Sequence, residues 1–148
     1  MKIVAKGSMI LLILFLALPA WGQMMGRRGG QQALTQTNQA GGVTVAVTYK
    51  GIAGERLTFE VKLDTHTVNL DEYIIEKISR LRNDKGLELR PLGWESPQGG
   101  GHHRSGLLVF PASDPSGKPI IDGGTNYIEL IMEGIAGVKE RVLRWELR

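Results

Sequence analysis

Residues 43–64 read VTVAVTYKGIAGERLTFEVKLD and carry the clearest structural signal in the chain. Valine and tyrosine alternate with small or polar residues over 43–50, and larger apolar residues repeat the alternation over 57–63. A period of two predicts β-strands that bury one face and expose the other. Residues 51–55 include two glycines and turn the chain between these strands. We therefore predict an antiparallel hairpin over 43–64.

Five further strands are predicted in the rest of the chain, separated by turn or loop signals. The turn signal at 83–86 separates the first two, and prolines and glycines mark 112–126 as a long surface connection. Residues 71–77 also fit one helical turn. Seven strands with this spacing predict an all-β, immunoglobulin-like antiparallel sandwich over residues 43–148. The five strands cover residues 78–82, 87–94, 106–110, 127–135 and 141–147.

The N-terminal residues have the pattern of a cleavable export signal. Lys2 and Lys6 precede a ten-residue apolar run at 9–18, and small residues follow it, so residues 1–22 are predicted to be a signal peptide. The run is shorter than the roughly 20 residues that a membrane-spanning helix needs. Residues 23–42 are polar and glycine-rich, which predicts a flexible linker. We expect an exported protein, periplasmic or extracellular, without a stable membrane span.

Charge and cysteine content exclude several functional classes. Loss of Lys2 and Lys6 lowers Lys plus Arg from 18 to 16 against 15 acidic residues, so the net charge falls from +3 to +1. A nucleic-acid partner needs a clustered basic face, and a net charge this close to zero gives no support for one, so no nucleic-acid partner is expected. There is no cysteine, which excludes disulfides, thiolate metal sites and a cysteine nucleophile.

All three histidines lie in two short segments, LDTHT at 63–67 and GGGHHRSG at 99–106. The first segment ends the second predicted strand, and the second is a predicted glycine-rich loop before the fifth strand. If consecutive strands alternate in direction, both segments reach the same end of the sandwich. We expect His66, His102 and His103 to cluster there, as a histidine pole.

Two explanations of this pole are open. Three imidazoles with a nearby carboxylate, Glu95 or Asp64, suit Zn(II) or Cu(II), and Asp64 is either a ligand or the acceptor that orients His66. Alternatively, Asp64, His66 and Arg104 form a buried polar network that braces the glycine-rich loop. Arg104 is a permanent cation, which favours the brace over a metal.

Ser105 adds two further interpretations. With Arg104 and the glycine N–H groups, it could hold an anion or a carbohydrate. As a nucleophile it would need a histidine and a carboxylate beside it, but the sequence around it is not a nucleophile elbow. We therefore expect a protein that is not an enzyme.

The main alternative to a histidine-based function is an assembly or adhesion module that binds a protein partner at the envelope through a sheet edge.

Both histidine segments resemble motifs of a loose group of exported prokaryotic proteins. In this chain they read LDTHTVNL at 63–70 and GGHHRSG at 100–106, close to LDTH[ST]V[DN]L and GGHHR[SA]G. The final strand, with its aromatic Trp145, also fits the group. The resemblance implies that the two segments work together, as a site or as a structural brace, and implies no specific activity.

Overall fold

The computed structural model describes residues 34–148, which form two antiparallel sheets packed face to face. The predicted signal peptide and the linker up to residue 33 lie outside the described residues. Short 3-10 turns lie at Leu70–Glu72 and Ile135–Gly137, and the first of them overlaps the start of the helical turn predicted at 71–77. The strands are β1 Thr35–Ala40, β2 Val43–Ala53, β3 Arg56–Thr65, β4 Ser79–Asn83, β5 Glu88–Leu89, β6 Gly93–Gly100, β7 His103–Pro111, β8 Tyr127–Glu133 and β9 Glu140–Glu146.

The strand order is that of an immunoglobulin domain with two additions. One sheet has the order β1-β2-β3-β7-β6 and the other β5-β4-β8-β9. Without β1 and β5, the four strands β2-β3-β7-β6 face the three strands β4-β8-β9, which corresponds to the ABED and CFG sheets. The prediction of an all-β, immunoglobulin-like antiparallel sandwich is confirmed. Within residues 34–148, no helix is long and apolar enough to span a membrane.

The predicted number of seven strands is wrong, because residues 34–148 contain nine. One extra strand, β1, lies in the predicted linker, where Thr35 lies opposite Thr48 and Ala40 opposite Val43. The other arises because the predicted strand 87–94 is divided between the sheets. Pro91 stands at the division, and a proline has no N–H with which to continue a ladder.

The core follows the alternation seen in the sequence. Val43, Val45 and Val47 of β2 are fully buried, and their threonine and alanine neighbours face outward. The Phe59 ring packs 5.0 Å from Trp145 and 5.9 Å from Phe110, measured between ring centroids. The other fully buried side chains of the core include Leu57, Val61, Leu108, Ile128, Leu130 and Met132.

A buried arginine joins the two sheets along one side. Arg141 of β9 is fully buried, and its guanidinium donates to Asn38 Oδ1 and to Ala40 O, both at 2.8 Å. Further bonds of 3.2 Å reach Val43 O and Ile135 O. Burial lowers the pKa of Arg141 from its ordinary value. These bonds hold β1 in place, which explains how a strand with few apolar residues forms outside any hydrophobic pattern.

We predict that Arg141→Ala lowers the free energy of unfolding by about 3 kcal/mol, because it leaves buried acceptors without donors. Arg56→Ala is the matched control: Arg56 pairs with Glu95 at a half-exposed position, and such pairs contribute about 1 kcal/mol or less. Urea unfolding measures the free energy of unfolding of both variants. Equal decreases in the two variants would contradict the role given to Arg141.

Candidate functional site

The pairing of β3 with β7 brings the two histidine segments together. Asp64, near the end of β3, lies directly opposite His103, the first residue of β7. The backbone N–H of Thr65 donates to His102 O at 3.0 Å. The predicted approach of the two segments therefore occurs through strand pairing, at one end of the five-stranded sheet.

The glycine-rich segment is a hairpin and not the predicted loop. Strands β6 and β7 pair up to Gly100 and His103, so that only Gly101 and His102 turn the chain. Gly99 has a φ of +76°, and a Cβ there would lie 2.1 Å from His103 O. Only glycine fits this approach. The hairpin gives His103 a fixed place in the sheet and so determines the face on which its side chain lies, whereas a loop would not.

Asp64 and His103 form a carboxylate–imidazole pair. The distance between His103 Nδ1 and Asp64 Oδ1 is 2.6 Å, and the two side chains are 69% and 61% exposed. A carboxylate this close to Nδ1 favours the tautomer that carries its proton on Nδ1. Nε2 is then the nitrogen through which His103 can bind a ligand.

Two open grooves flank this pair. We name the first the His66 groove; it has a volume of about 350 Å³, and Gln39, Thr44, Asp64, Thr65, His66 and His103 line it. The second, the Ser105 groove, has a volume of about 320 Å³ and is lined by Lys62, Gln98, Arg104 and Ser105 together with the same pair. Each groove thus places polar side chains beside the oriented imidazole.

Two predicted site residues lie elsewhere. His102 is exposed and lines neither groove, although its backbone oxygen joins the turn to β3. Glu95 lies opposite Leu107, in the middle of β7, and forms an ion pair with Arg56 at the start of β3. Its predicted position at the pole is wrong because β6 continues beyond it to Gly100.

Arg104 provides a brace beneath the pole. Its side chain is 16% exposed, and Nη1 donates to Leu70 O at 2.6 Å and to Tyr73 O at 2.8 Å. Gly101 completes the connection, because its N–H donates to Asp71 Oδ2 at 2.9 Å and its oxygen accepts from Leu70 N–H at 2.8 Å. The segment 70–73 is thereby held against the β6–β7 turn.

The predicted composition of the brace is wrong in part. Arg104 belongs to it, but Asp64 and His66 are exposed and are not a buried network. Within residues 34–148, no group of three or more histidine and acidic side chains is arranged to hold a metal ion. The predicted ligand set of three imidazoles is therefore not assembled, and two of its members, His66 and His103, share one groove.

No protein-family model matches the chain, and no curated protein matches it significantly. Among solved structures, it is similar to a secreted protein of Mycobacterium tuberculosis, MPT63, determined at 1.5 Å resolution. The sequences are 17% identical, the match covers 76% of this chain and 90% of MPT63, and the TM-score is 0.40. A likeness this distant assigns no function, and the resemblance to exported prokaryotic proteins stays a prediction.

Several residues of the site had no signal in the sequence. Gln39 lines the His66 groove from β1, which was predicted to be linker. Asp71 and Tyr73 take part through the 3-10 turn: Asp71 accepts from Gly101, and the Tyr73 hydroxyl accepts from Ala136 N–H at 2.9 Å. These contacts join segments distant in sequence, and neither spacing nor periodicity reports them.

We predict that Arg104→Ala loosens the segment 70–73 and leaves the sheets intact. Loss of two hydrogen bonds from a cation costs about 1–2 kcal/mol locally, a factor of about 5–30 in an opening equilibrium. Hydrogen exchange at the Leu70 and Tyr73 amides should accelerate by that factor, while the amides of β2 remain protected. Unchanged exchange at Leu70 and Tyr73 would show that Arg104 is not the brace.

Proposed function

We propose that the protein is exported and acts by binding and not by catalysis, with Zn(II) or Cu(II) as the ligand of the His66 groove. The observation that carries this proposal is the pair formed by Asp64 and His103. A carboxylate on one imidazole nitrogen makes the other nitrogen a better ligand, an arrangement common around metals bound by histidine. His66, in the same groove, offers a second imidazole. Imidazole nitrogen suits both metals.

The position of Arg104 removes the main electrostatic objection. Although it follows His103 in the sequence, its Nη1 donates to Leu70 O and Tyr73 O, beneath the sheet. Asp71 Oδ1 lies 4.0 Å from its Nε and offsets part of its charge. The guanidinium is therefore engaged away from the His66 groove, where Asp64 supplies a negative charge.

Exposure favours binding over catalysis. Both side chains of the pair are more than half exposed, so that water reaches them freely. General acid–base and nucleophilic catalysis depend on preorganised groups in a site from which water is largely excluded. Metal binding by exposed imidazoles has no such requirement.

Two of the four edge strands within residues 34–148 offer little support for the alternative, a module that binds a protein partner through an edge. Strand β6 is an edge strand interrupted by Pro97 and by a register shift between Glu95 and Gln98. At one edge of the other sheet, β5 has two residues. Short edges and edges with bulges or prolines resist the addition of a strand. The proposal that the protein is exported rests on the signal peptide and linker predicted from the sequence.

Titration calorimetry on the tag-free protein, expressed from its full sequence, tests the proposal. We predict that Zn(II) or Cu(II) binds and that His103→Ala and His66→Ala each weaken binding at least about tenfold, a loss of about 1.4 kcal/mol. His102→Ala is the matched control, since its side chain is exposed outside the grooves, and it should bind as the wild type does.

Thermal melts give a second readout. Metal at about 100 times its dissociation constant should stabilise the wild type by about 2.7 kcal/mol, and a chelator should reverse the effect. Absence of binding, or equal weakening by His102→Ala and His103→Ala, would refute a site in the His66 groove.

A further inference from the structure

We infer that the His66 groove is one half of a metal site and that a second copy of this chain supplies the other half. This inference rests on the proposed function. A closed zinc site takes four ligands in a tetrahedron. The groove contributes two imidazoles, from His66 and His103, while Asp64 Oδ1 lies 2.6 Å from His103 Nδ1. Two positions on the metal remain for an outside donor.

A two-fold axis through the metal supplies both missing ligands at once. Such an axis presents the same surface of each copy to the other, so that each chain contributes the same two imidazoles. The site then has four nitrogen ligands, a set that suits zinc. It becomes complete only in the dimer, and the metal becomes the contact at the centre of the interface.

The surface around the groove permits this approach. His103 and Asp64 lie on the outer face of the five-stranded sheet, and both are exposed. Two of their neighbours on this face are small: Thr44 lies opposite Asp64 on β2, and Ala46 lies opposite Lys62 in the next row. Lys62 itself is long, but its Nζ lies 3.3 Å from Glu60 Oε1, one row farther from Asp64. Small side chains let a second sheet come close enough for imidazoles from both copies to reach one ion.

Charge at the proposed centre also balances. A Zn(II) ion carries two positive charges, and four neutral imidazoles add none. Each copy brings one Asp64 carboxylate, with Oδ1 at 2.6 Å from Nδ1 of the ligand His103. Two carboxylates therefore compensate the ion, and a charge with compensating partners is far less costly to remove from water than one without. Without the metal, the same two carboxylates repel each other, so that the dimer depends on zinc.

Sedimentation velocity on the tag-free chain tests this inference. As zinc is added, we expect the monomer to convert to a dimer, with saturation at one zinc per two chains and reversal by a chelator. His66→Ala and His103→Ala should remain monomeric, and His102→Ala should dimerise as the wild type does.

Ala46→Arg separates binding from assembly. It leaves both imidazoles in place and adds a long cation on the face, beside Lys62, so we expect a monomer that binds zinc weakly at one ion per chain. A wild-type chain that binds one zinc and stays monomeric would overturn the dimer but not the proposed function. Absence of zinc binding would overturn the dimer, and absence of both zinc and copper binding would overturn the proposed function as well. Dimerisation of Ala46→Arg, or zinc-induced growth beyond a dimer, would refute a closed two-fold contact at this face.

Discussion

The register between β3 and β7 determines both what the core contains and what the candidate site presents. With Val61 opposite Gly106 and Asp64 opposite His103, the apolar side chains of β3 face inward and its two acidic side chains face outward. A shift of one residue would exchange the two faces of a strand. It would expose Phe59 and bury Asp64, at a cost in lost apolar burial and in desolvation of a carboxylate. The core thus enforces the register that pairs Asp64 with His103.

Outside the apolar core, polar side chains hold the segments that apolar packing does not stabilise. Arg141 holds β1 against β9, and Arg104 holds the segment 70–73 against the β6–β7 turn. On the outer face of the other sheet, burial by itself raises the pKa of Glu129, but hydrogen bonds from Arg82 and Arg144 outweigh it and lower the pKa below the ordinary value. Arginine therefore serves as a structural residue in three places. The Asp64–His103 pair differs from these three because it is open to solvent.

Sequence periodicity predicted the parts of the fold that are stabilised by apolar burial. Alternation is strict in β3, in β9 and over residues 43–48 of β2, and the hairpins β2–β3 and β8–β9 are both present. Periodicity missed β1, because a strand held by backbone pairing and by Arg141 needs no apolar face. The prediction from periodicity placed Glu95 at the wrong position for a related reason. The glycines, serine and proline after Glu95 resemble a loop, although β7 pairs with Gln98, Gly99 and Gly100 beyond the bulge. The proximity of the histidine segments was predictable from strand direction, whereas the outward position of each side chain required the register.

The central claim is that the Asp64–His103 pair and His66 form the ligand site. Paramagnetic broadening by Cu(II) in an amide NMR spectrum measures it most directly, because the effect falls off steeply with distance from the bound ion. At substoichiometric Cu(II), the account predicts loss of the amide signals of residues 64–66, of His103 and of residues 42–44, with β8 and β9 unaffected. Broadening centred on the charged face around Glu129, or spread evenly over residues 34–148, would contradict it.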